Sequence, residues 1–529
     1  MLFTSYGFIA FLAILLVVYY VFPKKYQWTL LLVASYFFYA FSGIENFAFI
    51  IATTLSCFFV ARAMEKRRLA EDEFVAANKE TMDKESRKAY RAREKKKRFR
   101  ILLAGLVFNF GILAVLKYTA FAIGNVNSLL GLFGASPLGV PDLLLPMGIS
   151  FYIFQSTGYL IDVYRGKTFA EKNIAKLALF VSFFPQLAQG PISRHGDLAK
   201  ELYTPHPFDG KKLKFGLQRI LWGYFKKLVV ADRILVAMKA MLGDTESYTG
   251  AYVALLILLY SVEIYADFTG GIDITIGIAE AMGIRVAENF NRPFSSTSTK
   301  EYWNRWHMTM GSWFTDYVFN PLSVSKPMLK LSKVSREKLG NGIGKRISVY
   351  FATTVTWFLT GLWHGAAWNF IVWGLLNCAV ILISRELEPL YRRFREKLPR
   401  LTASYGYHCF AAVRTFLLMG LIRSLDCYAN VGLTFSMWGS MLTDFNLGSM
   451  LSGGILELGL GVKDYIIIGL SVVLMATVSK LSQKRDLREW LCGRTVLSWT
   501  LSGALLVVII LFGAYSIGYD ASQFIYTQF

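Results

Sequence analysis

ILLAGLVFNFGILAVLKYTAFAI, residues 101–123, is an apolar run that a single charged side chain interrupts, at Lys117. An α-helix rises about 1.5 Å per residue, so a run of this length reaches across the hydrocarbon core of a bilayer, which is about 30 Å thick. The residues before it are densely charged. The run therefore predicts a transmembrane helix that begins near residue 101.

Comparable runs recur along the whole chain of 529 residues, which is 54% hydrophobic and 16% aromatic. Its mean hydropathy of +0.41 is too high for a soluble protein of this length. We predict an all-α polytopic integral membrane protein, a single domain over 1–529, with about eleven transmembrane helices. The pieces at 174–190 and 301–320 predict re-entrant or broken helices around a central cavity, because they are too polar or too interrupted for plain spans. The candidate spans lie approximately at 4–22, 28–43, 46–61, 101–123, 141–163, 213–231, 251–282, 347–361, 363–384, 410–424, 465–480 and 497–519.

The net charge of +21 is concentrated between the spans, which is the positive-inside pattern of cytosolic loops. Residues 62–100 hold 15 Lys and Arg against 8 Asp and Glu and predict a charged cytosolic helical hairpin, with attraction to anionic lipid headgroups as a lesser alternative. Both termini are then predicted to lie outside the cytosol. No nucleic-acid-binding motif accompanies the charge, so no nucleic-acid partner is predicted. The other basic segments are Lys24 and Lys25, 211–227, 326–346, 392–400 and 484–494.

The five cysteines are scattered without the spacing of a metal site, so no metal and no redox compartment are predicted from them. The first apolar stretch lacks a basic n-region and a small-residue cleavage site, and we interpret it as a span rather than a signal peptide. No soluble catalytic segment interrupts the apolar pattern. The chemistry of this protein is therefore expected in or beside the membrane.

Two of the five histidines lie in apolar, tryptophan-rich sequence. GLWHGAAWNF (361–370) contains His364, and YWNRWHMTMGSWFTDYVFNPL (302–322) contains His307. A titratable ring in such a place costs free energy unless it is hydrogen-bonded or used. Imidazole can accept and return a proton near neutral pH, so the two histidines predict a pair that converges on a buried cavity.

A hydrogen-bonded core histidine is the alternative for His364. Gly361 and Gly365 on either side of it allow backbone or substrate to approach closely, which favours a functional role. The remaining histidines are predicted to be exposed or interfacial: His195, His206 and His408.

Polar residues in three further apolar segments predict elements that line a cavity. YADFTGGIDITIGIAEAMGI (265–284) predicts a helix interrupted near residues 269–271, with its acids turned away from lipid. NFNRPFSSTSTKEYWNRWH (289–307) predicts a cytosol-facing re-entrant segment that leads into a helix bearing His307. FFPQLAQGPISR (183–194) predicts another broken element. The acids of the first segment are Asp267, Asp273 and Glu280.

Five segments in order resemble the motifs of the membrane-bound O-acyltransferases, in particular the bacterial branch of alginate O-acetylation and of D-alanyl transfer to teichoic acid. Residues 421–438 and SQFIYTQF (522–529) are similar to later motifs of this family. The resemblance implies a motif-bearing catalytic core over 140–380, followed by C-terminal helices over 381–529. The five segments are LLPMGISFYIFQSTGYLIDVYRG (144–166), FFPQLAQGPISR (183–194), ADFTGGIDITIGIAEAMGIRVAENFNRPF (266–294), YWNRWHMTMGSWFTDYVFNPL (302–322) and GLWHGAAWNFIVWGLL (361–376).

The resemblance implies that His364 is the principal catalytic histidine and His307 the second. It implies no bound cofactor, with an acyl thioester, either acetyl-CoA or an acyl carrier protein, as co-substrate. It also implies a separate extracytoplasmic acetyltransferase of the SGNH, esterase-like kind or other polysaccharide-modification proteins as partners, besides membrane lipid. The bacterial cytoplasmic membrane is the expected location. The residues expected to shape the donor channel, or only to pack, are Trp303, Asn304, Arg305, Trp306, Trp363 and Asp267.

The expected function is transfer of an acyl group from a cytosolic thioester across the membrane, for O-acetylation of an extracellular or cell-wall polysaccharide. The acyl group is expected to be acetyl. His364 is expected to act as general base on the acceptor hydroxyl, and His307 to orient the acceptor or to polarise the thioester carbonyl. D-alanyl transfer to teichoic acid is the alternative within the branch. A hedgehog- or sterol-type acyltransferase is disfavoured, because such proteins usually carry Asn where this chain has His307. A proton-coupled transporter is the alternative of another class, since intramembrane acids and broken helices suit one as well.

Overall fold

The computed structural model describes residues 1–483 and 486–515, and all regular secondary structure in those residues is helical. By their internal contacts the residues form two compact units. The first comprises Met1–Leu213 and Ile278–Val286, and the second comprises Lys214–Gly277 and the residues from Ala287 onward. The predicted core over 140–380 coincides with neither unit and stays a prediction. The motif at 522–529 lies outside the described residues.

The first unit contains eight helices and the start of a ninth. Three of them, Tyr6–Val21, Gln27–Ala40 and Phe184–Gln189, meet in an aromatic cluster, in which the Phe38 ring lies 5.9 Å from Phe8 and 5.7 Å from Phe184. The helices are α1 (Tyr6–Val21), α2 (Gln27–Ala40), α3 (Phe47–Ala77), α4 (Lys84–Leu132), α5 (Ile149–Arg165), α6 (Ile174–Ser182), α7 (Phe184–Gln189), α8 (His195–Tyr203) and the beginning of α9 (Gly210–Tyr224).

Helices α3 and α4 continue past their apolar runs into the charged segment 62–100 and pair there. Arg98 donates to the Glu71 carboxylate at 2.9 Å, and the Phe74 and Tyr90 rings stack with their centres 4.4 Å apart. The segment thus forms the helical hairpin that its sequence predicts, while its cytosolic location stays a prediction.

The second unit contains the remaining helices, except that residues 278–281, at the end of one long helix, belong to the first unit. Two π-helical turns interrupt its regular pattern, at Phe225–Ala231 and Thr315–Phe319. The helices are α10 (Asp232–Gly243), α11 (Ala251–Ala281), α12 (Thr299–Trp303), α13 (Met308–Phe314), α14 (Asn320–Ser323), α15 (Lys326–His364), α16 (Trp368–Glu386), α17 (Glu388–Lys397), α18 (Pro399–Thr402), α19 (Tyr405–Arg423), α20 (Val431–Thr443), α21 (Leu447–Leu451), α22 (Val462–Leu481), α23 (Leu487–Cys492) and α24 (Thr495–Phe512).

Seven helices in the described part of the chain are long and apolar enough to cross a membrane, which confirms the all-α polytopic class but not the predicted count of about eleven. Two shorter apolar stretches lie at Tyr6–Val21 and Ile174–Gln189. The predicted broken character of 301–320 and 183–194 is confirmed, because both consist of short helices and turns. The seven helices are Ile44–Ala77, Lys84–Leu132, Ala251–Ala281, Trp368–Glu386, Tyr405–Asp426, Val462–Leu481 and Thr495–Phe512.

Helix α11 runs without a break, so the predicted interruption at residues 269–271 is wrong. The glycines there serve close helix packing instead. A Cβ added to Gly223 would lie 2.6 Å from the carbonyl oxygen of Gly270, and Gly277 repeats this close approach two turns further on. Without side chains the two backbones can touch, and the hydrogen-bond ladder of α11 continues through the contact.

The basic segment 211–227 is not a loop, as the charge pattern predicted, but a helix that buries two lysines. Lys226 Nζ lies 2.5 Å from Asp273, and Lys227 Nζ lies 2.7 Å from Asp267, with both carboxylates on α11. Buried cations are retained where carboxylates compensate their lost hydration. Asp267 and Asp273 therefore face protein rather than lipid, as predicted. Two further basic segments predicted as loops also lie in helices, in α15 and α17.

Candidate active site

His307 lies between the short helices α12 and α13, not inside the helix that its sequence predicted. Its backbone is left-handed, with φ +46° and ψ +50°, and among the described non-glycine residues only Arg292 is similar. Such a conformation costs on the order of 1 kcal/mol or more and persists only where the surroundings hold it. The side chain is fully buried. A local turn of the backbone therefore directs the imidazole into the protein interior.

The side-chain oxygen of Asn289 fixes the hydrogen position on His307. The Thr309 amide and hydroxyl donate to Asn289 Oδ1 at 3.1 and 2.8 Å, and His307 Nδ1 lies 3.2 Å from the same atom. A backbone N–H can only donate, so the Asn289 atom that faces Thr309 has to be the oxygen. His307 Nδ1 therefore carries the hydrogen and donates it, which leaves the lone pair of the neutral ring on Nε2.

The surroundings of His307 keep its ring neutral. The residue lies in a connection outside the seven candidate spans, and its ring packs edge-on against Phe268 with centres 4.9 Å apart. Burial, and next the positive charge of Arg423, lower the pKa of His307 to about 3. At neutral pH the imidazole is therefore uncharged and can accept a proton or a hydrogen bond at Nε2.

His364 is the last residue of α15, just before the chain turns into α16. The sequence predicted a position deep within an apolar stretch, and the ring is indeed buried, at 4% exposure. It packs edge-on against Trp363 at 5.0 Å and against Trp373 at 4.7 Å between ring centres. A helix end, rather than the middle of a span, therefore positions this histidine.

The two glycines beside His364 leave no room for a substrate. A Cβ on Gly361 would lie 2.4 Å from the carbonyl oxygen of Phe370, and one on Gly365 would lie 2.1 Å from the Phe370 ring. Helix α16 fills this space. Of the two interpretations of these glycines, close approach of backbone is confirmed and close approach of substrate is wrong.

Trp363 connects the two histidines. Its ring centre lies 5.8 Å from that of His307 and 5.0 Å from that of His364, and all three residues belong to the second unit. The structure thus brings together two imidazoles that are 57 positions apart in sequence around one indole. Their catalytic roles stay a prediction at this point.

Two of the predicted donor-channel residues, Trp303 and Trp306, belong to aromatic packing near His307. Trp303 donates its indole N–H to Asn377 at 3.2 Å and packs 4.8 Å from Trp357 between ring centres. Trp306 is buried and stacks on Tyr302 with an interplanar angle of 12°. These contacts explain why tryptophan stands at both positions and fit the packing alternative.

Three other predicted channel residues make contacts away from the two rings. Arg305 pairs with Glu301 at 2.6 Å, one turn before it, and Asn304 is exposed. Asp267 is buried and pairs with Lys227 at 2.7 Å. These contacts stabilise the local structure, and a role of the three residues in donor binding stays a prediction.

Sequence reasoning missed Asn289 and Arg423. The guanidinium of Arg423 is buried, lies 5.4 Å from the centre of the Trp373 ring and pairs with Asp426 at 3.0 Å. Trp373 is the ring that packs against His364. The arginine that directly follows the apolar run TFLLMGLI (415–422) was the available signal for Arg423, since a charge in such a place needs a partner. Nothing local distinguishes Asn289 from the other polar residues of its segment.

The remaining histidines divide between interior and surface. His195 is buried, with its ring 4.5 Å from Tyr159 and 4.8 Å from Phe180, so its predicted exposure is wrong. It begins α8 where that helix packs on α6, which places the ring inside the first unit. His206 is partly buried and His408 is exposed, as predicted. In the residues that the structure describes, no group of three His, Cys, Asp or Glu side chains is placed to hold a metal ion.

These features define the class of the protein: a multi-pass helical membrane protein with two buried histidines beside one tryptophan. The family model of the membrane-bound O-acyltransferases matches residues 168–336. Over 446 residues the chain is 33% identical to a Pseudomonas syringae protein named "Probable alginate O-acetylase", covering 84% of this chain and 75% of that one. The chain belongs to the membrane-bound O-acyltransferase family, and it is a membrane-embedded O-acyltransferase.

Two further relatives carry other names. A Helicobacter pylori protein named peptidoglycan O-acetyltransferase is 28% identical over 72% of this chain and 68% of its own length. A Bacillus subtilis protein named teichoic acid D-alanyltransferase is 27% identical over 48% of this chain and 62% of its own length. The matches confirm the resemblance that the sequence motifs indicate, and they favour an enzyme over a proton-coupled transporter.

Proposed function

We propose that this protein transfers an acetyl group from a thioester donor at the cytosolic face of the membrane for O-acetylation of an extracytoplasmic polysaccharide. Two of the relatives described above are named for O-acetylation, of alginate and of peptidoglycan. The observation that carries the proposal is the pair His307 and His364 around Trp363. Both rings are buried, so a hydroxyl and a thioester that meet there react away from bulk water.

In the proposed step His364 acts as general base. The acceptor oxygen forms a bond to the thioester carbonyl carbon while His364 takes the hydroxyl proton, because a free hydroxyl is too weakly acidic to attack unaided. The tetrahedral intermediate then breaks its carbon–sulfur bond, and the proton passes from His364 to the departing sulfur. The products are an ester and a thiol. The C-terminal end of α15 suits this role, since helix carbonyls there stabilise the positive charge that the ring gains.

His307 is proposed to orient the acceptor. The sequence allowed two roles, and polarising the thioester carbonyl would need a hydrogen on Nε2. Because Nδ1 holds the hydrogen and donates it to Asn289, Nε2 of the neutral ring can only accept. The only hydrogen of the reacting hydroxyl goes to His364, so Nε2 of His307 would orient the acceptor molecule by accepting a hydrogen bond from another of its O–H or N–H groups.

The donor is proposed to be acetyl-CoA or an acyl carrier protein, reached from the cytosol, with the protein in the bacterial cytoplasmic membrane. The chain carries no G-x-S-x-G motif, so a separate extracytoplasmic acetyltransferase is proposed to complete transfer to the glycan. The first acceptor hydroxyl then belongs to that partner or to the glycan itself. The relatives' names support acetyl transfer but state neither donor nor partner.

D-alanyl transfer to teichoic acid is the second candidate. It is supported by the relative named for that reaction, although that match covers less of this chain at lower identity than the match to the alginate O-acetylase. The histidine pair serves either acyl group, since the reacting bond is a thioester in both cases. The acyl group released from the product therefore separates the two candidates.

The test is acyl analysis of the cell envelope in a strain that lacks this protein and is complemented with the wild type or with His364→Ala. We expect base-labile acetate on the extracytoplasmic polysaccharide with the wild type only. Inverted membrane vesicles supplied with labelled acetyl-CoA should likewise incorporate label with the wild type and not with His364→Ala. D-alanine esters in place of acetate would overturn acetyl transfer and support the second candidate. Acetate restored equally by His364→Ala would overturn the role of His364.

A further inference from the structure

The second unit contains a cavity of about 830 Å³ that combines a charged end with an apolar wall. The charged end is formed by α9, the π-helical turn after it, α11, residues 288–292, Asp486 and the short helix α23. The apolar wall is formed by α22 and α24, two of the seven candidate membrane spans. Such a division suits a ligand with one polar end and a hydrocarbon chain.

The charged end carries one positive charge in excess. Four basic side chains line it against three acidic ones, and most of them are already paired. Arg219 bonds to Asp273 at 2.9 Å and to Glu288 at 2.6 Å, Lys226 shares Asp273 at 2.5 Å, and Arg488 lies 3.8 Å from Asp486. The remaining cation is Arg292.

Two features distinguish Arg292 from the paired cations of the cavity: its backbone is strained, and its guanidinium is only partly hydrogen-bonded. The residue has φ +48°, in the left-handed region that non-glycine residues rarely adopt. Its Nε donates to Asn291 at 3.2 Å, while Nη1 is buried and has no hydrogen-bond partner within the described residues. A buried guanidinium nitrogen without an acceptor is costly unless an anion supplies one.

The apolar wall extends over about two thirds of the hydrocarbon depth of one bilayer leaflet. Leu501 and Val508 both line the cavity, and at about 1.5 Å per residue the stretch of α24 between them extends about 10 Å. Half of a hydrocarbon core of about 30 Å is about 15 Å. Leu474 on α22 and Leu501 on α24 are also exposed, so the wall is open to the surrounding hydrocarbon.

We propose that this cavity binds one anionic phospholipid, with its phosphate on Arg292 and an acyl chain along α22 and α24. A single phosphodiester charge matches the single excess positive charge, whereas coenzyme A carries several phosphates and has no long hydrocarbon chain to cover the wall. Phosphate oxygens would accept from Nη1 in a charge-assisted hydrogen bond. This proposed lipid binding does not depend on the proposed acyl-transfer reaction.

The test is retention of lipid by the purified full-length protein in detergent, measured by native mass spectrometry. We expect the wild type to keep one palmitoyl-oleoyl phosphatidylglycerol and to bind phosphatidylcholine with the same chains more weakly. Arg292→Gln should weaken phosphatidylglycerol binding about tenfold or more, because it removes the unpaired charge. Ala504→Trp, which places an indole in the apolar wall, should weaken binding of both lipids. Arg393→Gln is the matched control, since Arg393 is an exposed arginine of α17.

Three outcomes would overturn the proposal. One is phosphatidylglycerol binding by Arg292→Gln equal to that of the wild type and the control. Another is equal retention of the two lipids by the wild type, which would mean an apolar groove without headgroup recognition. The third is Arg292-dependent retention of coenzyme A with displacement of lipid, which would make the cavity a donor site. If Ala504→Trp is not monodisperse on gel filtration, the comparison of Arg292→Gln with Arg393→Gln decides alone.

Discussion

At the scale of single residues, the site depends on how the imidazole of His307 is held. Its left-handed backbone and its hydrogen bond to Asn289 together fix both the direction and the tautomer of the ring. Asn289 touches no reacting group in the proposed step and is a positioning residue. Its oxygen is itself held by two donors of Thr309, so the arrangement resists rotation of the amide.

We therefore expect Asn289→Ala to lower kcat for acyl transfer by about tenfold or more, because His307 loses the acceptor that keeps its hydrogen on Nδ1. Asn289→Asp keeps an acceptor but adds a negative charge, which raises the pKa of His307. Since His307 has to be neutral to accept, the acid limb of the pH–rate profile should shift to higher pH in Asn289→Asp.

The measurement is the pH dependence of acetyl incorporation for wild type, both variants and Asn78→Ala, an asparagine at the tip of the α3–α4 hairpin. A purely structural role for Asn289 would lower activity by the same factor at every pH in both variants. That result would contradict the positioning role.

At the scale of elements, the site depends on how closely α15 and α16 cross. Gly361 on α15 and Gly374 on α16 meet at this crossing, where a Cβ on Gly374 would lie 2.5 Å from the carbonyl oxygen of Trp357. Gly361 lies three residues before His364, and Gly374 directly follows Trp373, the ring on which His364 packs. The glycines therefore set the position of His364 through the backbone rather than by leaving space for substrate.

Gly361→Ala should destabilise the protein by roughly 1–3 kcal/mol, because the new methyl group meets the Phe370 carbonyl oxygen, which cannot rotate away. Thermal unfolding in detergent, followed by fluorescence-detected gel filtration, measures the effect. Gly469→Ala in α22 is the control, since a Cβ there has open space and alanine favours a helix. A Gly361→Ala protein as stable as Gly469→Ala would show that the crossing can relax.

These elements also show what sequence could predict. Apolar runs predicted the helical membrane fold, because span length and composition follow from the bilayer alone. The structural role of the glycines could not be predicted from sequence, since a helix break at residues 269–271 and a close contact between helices both need glycine. Likewise, the apolar and charged patterns around His307 gave no sign of its left-handed turn, and Asn289 is defined only by atoms that the fold brings to it. The histidines could be singled out because an imidazole in apolar sequence is unusual on its own.

At the scale of the whole molecule, the membrane orientation follows from where the basic residues lie. The α3–α4 hairpin carries the largest basic excess, and its ion pairs leave most of its lysines and arginines exposed. Positive charge of this kind is retained in the cytosol during insertion. We therefore expect the hairpin on the same side as the proposed thioester donor.

Cysteine labelling tests this orientation. Lys88→Cys on the hairpin should react with a membrane-impermeant maleimide in inverted vesicles and not in spheroplasts, and Val140→Cys, in the segment after α4, should show the reverse. Both variants are made with Cys409→Ser, since Cys409 is exposed. Labelling of Lys88→Cys in spheroplasts would contradict the orientation, and the donor would then have to be sought on the other side.

The central claim is that His364, together with His307, carries out acyl transfer, and the most direct measurement is acetyl incorporation from labelled acetyl-CoA by vesicles containing His364→Ala. Loss of a positioned general base costs on the order of 10²–10⁴ in rate, so incorporation should fall by at least 100-fold at unchanged protein level. His408→Ala, which removes an exposed histidine, should incorporate acetate like the wild type. Incorporation by His364→Ala within a few-fold of His408→Ala would contradict the account.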